Sequence, residues 1–180
     1  MRTTLVLIGL ALVGSGTVSA VWAQQPQIPT LQVCNKTHVQ GKGALVRIPS
    51  RADASHSGSF RITLDVACSE ANNGYPAGVI TITDISMTDS IAQGTIAAVS
   101  LEQVTSTGML TPTVYINGRC SADRVIGCRF WLMIADNKRA NDRGAPDVVS
   151  FLVFNSVGHR VAYGTGPVVE GDIQIVPTSN

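Results

Sequence analysis

The chain predicts an all-β fold: an antiparallel β-sandwich of about ten short strands, jelly-roll or immunoglobulin-like, after a cleaved signal peptide. Three observations predict it. Apolar residues alternate with polar ones along most of the chain, and no long amphipathic helix interrupts them. Clusters of Gly, Pro, Asn, Asp and Ser punctuate these runs at short intervals. Four cysteines follow an export-type leader, an even count suited to two disulfides. Many short strands with regular punctuation fit either a sandwich or a closed barrel; the sandwich is the expectation taken here.

The leader comes first. "MRTTLVLIGLALVGSGTVSAVWAQQ" has a basic start at Arg2, an apolar run and small residues near its end, the layout of a secretory signal. Cleavage fits after Ala20 or after Ala23, and polar, Pro-containing sequence after Gln24 favours the second. The rival is an uncleaved anchor. The run from Thr4 to Ala20 contains three glycines and two serines and falls short of the roughly 20 residues a spanning helix needs. The expected organisation is a signal peptide over 1–23 and one domain over 24–180, placing the protein in the periplasm or the medium.

Charge excludes some partners. The 13 Lys and Arg against 12 acids leave +1, and loss of Arg2 with the leader makes the mature chain neutral. A neutral chain with three lysines has no electrostatic footprint for nucleic acid. No later segment reads as a membrane span.

Cys34, Cys68, Cys120 and Cys128 allow three pairings. In "TPTVYINGRC", Val114, Ile116 and Cys120 share parity; in "CRFWLMIAD", Cys128, Phe130, Leu132 and Ile134 do. Two strands joined by a short turn would bring Cys120 and Cys128 to one face, which favours that pair and leaves Cys34 with Cys68. A four-cysteine zinc site needs close pairs such as C-x-x-C, and here 33, 51 and 7 residues intervene.

Strands are expected at 31–39, 43–48, 59–68, 77–85, 94–104, 111–119, 127–135, 147–154, 159–164 and 169–176. "SFRITLDVAC" is the clearest: Phe60, Ile62, Leu64, Val66 and Cys68 point one way, and Arg61, Thr63, Asp65 and Ala67 the other. Two runs are apolar on both faces. "CRFWLMIAD" adds Trp131 and Met133 to its inner set, and "DVVSFLVF" behaves alike. Such strands are either central and covered twice, or carry an exposed apolar patch that meets a partner. Residues 147–176 read as a closing three-strand meander, with turns at "NSVG" and "GTGP".

That closing segment, with "INGRC" and "GCRFWLMIADN" before it, resembles uncharacterised bacterial secreted and cell-surface β-sandwich domains. The matching positions are Gly118, Asp136, Asp147, Gly158, Val161, Tyr163, Gly171, Ile173 and Ile175. The resemblance covers about the last 65 residues. It departs where Ala162 separates Val161 from Tyr163 and where "INGRC" keeps one glycine of two. It implies an exported sandwich without established catalysis and transfers no site residues.

Catalytic chemistry finds little purchase. His38, His56 and His159 sit in no recognisable motif, and there is no G-x-S-x-G elbow. "ADNKRANDRGAPD" supplies oxygen ligands of the kind calcium prefers, and Asp136, Asp142 and Asp147 are its candidate ligands. Its spacing is not that of an EF-hand, and Lys138, Arg139 and Arg143 are interleaved. A polar loop bonding its own backbone is the plainer reading, and no cofactor is otherwise expected. Tyr75, in "NNGYPAG", and Trp131 are the candidate binding residues; Trp131 is the one Trp outside the leader. The sequence therefore reads as an exported, non-catalytic protein, structural or binding an extracytoplasmic partner or glycan. Self-association through a strand edge or the lead-in 24–33 is a further expectation. The alternative is a small secreted hydrolase or a carbohydrate-binding module.

Overall fold

The computed structural model describes residues 34, 37–49, 58–69, 74–87, 90–107, 112–123, 125–137 and 144–177. The leader, its cleavage sites, the lead-in 24–33, His56 and Asp142 lie outside them. Among the described residues the strands are β1 (Thr37–Ile48), β2 (Gly58–Ser69), β3 (Tyr75–Met87), β4 (Ser90–Thr107), β5 (Thr113–Ala122), β6 (Val125–Ala135), β7 (Val148–Asn155), β8 (Arg160–Glu170) and β9 (Ile173–Pro177).

Their pairing corrects the sandwich. Each strand from β1 to β8 pairs antiparallel with the next, and β8 returns to β1 through Val46↔Val168 and Leu45↔Glu170. An eight-stranded β-barrel results, with β9 as an extra strand, where a sandwich would leave two separate sheets. Alternation tells which face of each strand is buried, but both architectures bury one face. Only hydrogen bonds between the first and eighth strands, more than 100 residues apart in sequence, distinguish them.

β9 is a continuation of β8. It runs on in the same direction along β1, with Gly41↔Ile173, Val39↔Ile175 and Thr37↔Pro177. Gly171, at φ +84°, breaks the strand, and β1 answers with a bulge between Gly41 and Ala44 that holds Gly43 at φ +64°. Glycine adopts this left-handed backbone without steric cost. The expected "GTGP" turn is therefore absent: Gly164 and Gly166 lie inside β8. A Cβ at Gly166 would fall 2.0 Å from the Arg47 carbonyl oxygen, and one at Gly164 would meet Ile48 and Phe151. These glycines allow β1 to approach, and the chain only bends at Gly171 without reversing. β9 accordingly pairs with β1, so the three-strand meander is corrected as well. The separate strands expected at 31–39 and 43–48 are likewise one strand, β1, from residue 37 on.

The barrel interior is filled with side chains, as an eight-stranded barrel permits. Phe60, Ile62, Leu64 and Val66 of β2 point inward, all at most 2% exposed. Phe130, Leu132 and Ile134 of β6 and Val149, Phe151 and Val153 of β7 join them. Phe60 and Phe151 meet edge to face, centroids 4.8 Å apart. Each such side chain contributes roughly 1.5–3 kcal/mol by leaving water. The outer face of β2 carries Arg61, Thr63 and Asp65, all exposed. On β2 this apolar-in, polar-out order is the reverse of that on a strand of a transmembrane barrel.

Two disulfides brace the wall. Cys120 and Cys128 face each other across β5 and β6, and Cys34 joins Cys68 on β2. This is the pairing that strand parity favours. Cys34 also forms a parallel bridge with Val104 of β4, and Thr37 Oγ1 lies 2.6 Å from Ser106 Oγ. β1 and β4 are not neighbours in the barrel, so Cys34 and Thr37 tie the start of β1 to β4 across the strand order.

Candidate binding face

The outer wall of β4–β8 carries three cross-strand rows. Strand register sets the first: Gln103↔Asn117↔Trp131↔Leu152↔Tyr163. The second is Thr105↔Tyr115↔Met133↔Ser150↔Thr165, one pleat away. The third is Arg119↔Arg129↔Phe154↔Arg160. With neighbouring strands about 4.8 Å apart, the first row spans roughly 19 Å.

The aromatic centre lies where the rows meet. Trp131 is 47% exposed and Tyr115 48%. The Trp131 ring meets Phe154 edge to face, with centroids 5.2 Å apart and planes 85° apart. Leu152, Met133 and Tyr163 are half-buried around them. Edge-to-face contact is a favoured aromatic geometry, and it leaves Trp131 about half in solvent, 47% exposed. At one rim, the Arg160 guanidinium carbon stands 4.1 Å above the centre of the Tyr163 ring. A bulge between Val153 and Phe154 in the β7–β8 register brings this about. It turns both Val161 and Ala162 inward and leaves Arg160 outside. On the opposite side, Asn117 Nδ2 donates to Gln103 Oε1 at 2.8 Å, and Gln103 Nε2 to Thr105 Oγ1 at 3.2 Å. The wall can therefore stack a planar or ring-shaped ligand, offer amides to hydroxyls and offer guanidinium groups to anions.

Sequence reasoning singled out Trp131 and Tyr75. Tyr75 opens β3, 53% exposed, with β4 and β5 between it and β6, so the two do not share a site. Tyr115, Tyr163 and the Phe residues are candidate stacking aromatics in the sequence without being singled out; Leu152 and the three arginines were missed as site residues. Their signal was legible: "CRFWLMIAD" and "DVVSFLVF" are both apolar on their second faces, and adjacent strands that share this property place those faces side by side.

The candidate calcium residues have structural partners. Asp147 is fully buried; its Oδ1 accepts the Asn137 N–H at 3.0 Å and its Oδ2 the Ile173 N–H at 3.2 Å. Asp136 Oδ2 accepts the Ile175 N–H at 3.0 Å. The two carboxylates thus satisfy the backbone donors of β9 on its outer edge, where no strand pairs. Among the described residues no three His, Cys, Asp or Glu gather as a metal-binding group.

A second polar region lies on the outer face of β2, β1 and β9. Gln40, Lys42, Thr63, Asp65, Asp172 and Gln174 line an open cleft of about 450 Å³ at the β1 bulge. Gln40 Nε2 donates to Gln174 Oε1 at 3.1 Å, and Gln174 Nε2 to Asp172 Oδ2 at 3.1 Å. Beside it His38 Nε2 meets Asp65 Oδ1 at 2.7 Å. This is a surface contact: the His38 side chain is 34% exposed and Asp65 71%. A triad needs its acid held rigidly behind the histidine and a hydroxyl in front. Among the described residues no hydroxyl bonds this imidazole. His159 sits in the β7–β8 turn, exposed, its backbone N–H donating to Asn155 Oδ1.

No family model, curated protein or solved structure matches this chain.

Proposed function

We propose that this is an exported, non-catalytic binding protein whose working surface is the outer wall of β5–β8. The observation that carries the reading is an outer aromatic cluster, exposed Trp131 and Tyr115 with half-buried Phe154 and Tyr163, on a barrel whose described interior is packed with apolar side chains. Among the described residues the interior is occupied by packed apolar side chains, where lipocalin-like barrels hold a ligand, and this favours recognition on the outside. Large side chains left in water around a central aromatic are the pattern of a binding hot spot. The two disulfides fit an oxidising, extracytoplasmic compartment. No described helix is long and apolar enough to cross a membrane. The leader over 1–23 supplies the export route in this reading.

The test is sedimentation with washed cell envelopes. The purified protein co-sediments, and Trp131→Ala or Phe154→Ala releases at least 80% of it while the circular dichroism and melting temperature stay close to wild type. Wild type and variants sedimenting equally, or neither at all, would overturn the reading.

A further inference from the structure

We infer that the β5–β8 wall takes an acidic glycan, one bearing uronate carboxylates or sulfates. The inference rests on the binding reading above and names its ligand class. It stands on the third row of the wall. Arg119 and Arg129 are direct cross-strand partners, and Arg160 lies two strands further along, beyond Phe154. All three are exposed. Like charges placed directly opposite each other on a sheet repel and destabilise it. Glu102 reaches Arg119 Nε at 3.3 Å and offsets one of them. The chain outside the leader is neutral, so this concentration of cation is local, and it borders the aromatic cluster.

The two features match two parts of one ligand. The apolar C–H face of a pyranose stacks on an exposed aromatic ring such as Trp131. A carboxylate or sulfate on that sugar accepts from a guanidinium, whose planar fork presents paired N–H donors that a lysine ammonium lacks. Asn117 and Gln103, next to Trp131 in the first row, add donors and acceptors for ring hydroxyls. Single-stranded nucleic acid would also use stacking and cation. Disulfide-bonded walls belong to an oxidising compartment, away from the cytosol and nucleus where nucleic acid is held, and this favours the glycan.

Titration calorimetry of the purified protein tests this with four probes: polygalacturonate, neutral dextran, phosphatidylglycerol vesicles and oligo-thymidine. Polygalacturonate is expected to bind and dextran not. Trp131→Ala weakens binding at least tenfold. The double change Arg119→Gln with Arg129→Gln weakens it at least tenfold and flattens its dependence on salt, with a melting temperature no lower than wild type. Arg129→Lys, which keeps the charge and loses the fork, gives an intermediate affinity. Polygalacturonate binding that ignores both arginine changes overturns the inference, as does equal or tighter binding of vesicles or oligo-thymidine. Envelope sedimentation that depends on Trp131 without any affinity for polygalacturonate removes the glycan and leaves the binding reading intact. Loss of sedimentation as well removes both.

Discussion

Single residues carry the sharpest consequences of this fold. Asp147 is a fully buried carboxylate that accepts two backbone N–H groups. Removing it leaves one buried and one part-buried donor without this partner, each costing up to about 1–3 kcal/mol. Asp147→Ala should therefore lower stability by about 3 kcal/mol. Asp147→Asn keeps one acceptor oxygen and should recover roughly half of that; chemical denaturation of the three proteins checks the order. Gly118 gives a second case. A Cβ there would lie 2.1 Å from the Ser100 carbonyl oxygen, so Gly118→Ala forces backbone apart and should cost about 2 kcal/mol. Gly127, with nothing within 4 Å of its would-be Cβ but φ at +69°, should cost only about 1 kcal/mol on the same change. Neither role is readable in sequence. Asp136 and Asp147 look like calcium ligands or self-bonding loop residues until β9 is seen to present its N–H groups to them.

At the scale of elements, legibility depended on whether the signal was local. β2 was plain from alternation, because every inward residue of Phe60, Ile62, Leu64 and Val66 is also buried. The Asn155–Gly158 turn was plain from its composition, with Asn155 Oδ1 accepting from Val157 and His159 and Gly158 at φ +84°. β8 was not. Its glycines read as a turn, yet they are required by Arg47, Ile48 and Phe151, which lie far off in sequence or on another strand. The bulge that turns Val161 inward and Arg160 outward broke the two-residue rhythm in the same strand. The disulfides offer a test at this scale. They close loops with sequence separations of 34 for Cys34–Cys68 and 8 for Cys120–Cys128. In the chain-entropy treatment, removing the first should cost about 4 kcal/mol and the second about 2.5 kcal/mol. Replacing each pair by serines and comparing unfolding midpoints checks that the Cys34–Cys68 disulfide matters more.

For the whole molecule, closure is what decides which surfaces are available. An open sheet presents two edges for pairing with another chain; here β8 returns to β1, and the outer edge of β9 is occupied by Asp136 and Asp147. Recognition is thereby left to the outer walls, above all the one around Trp131. Sequence could reach the all-β class, the disulfide pattern and the inward faces, because each is written within one or two strands. It could not reach the barrel, because β1 and β8 meet through pairings that no local pattern encodes. The measurement that bears most directly on this is nuclear magnetic resonance of the backbone across the β1–β8 seam. Closure predicts cross-strand Overhauser contacts between Val46 and Val168 and between Leu45 and Glu170, continuing into Gly41 and Ile173. A spectrum in which β1 contacts β2 but not β8 or β9 would mean open sheets, and would contradict both the barrel and the filled interior from which the outer binding wall was argued.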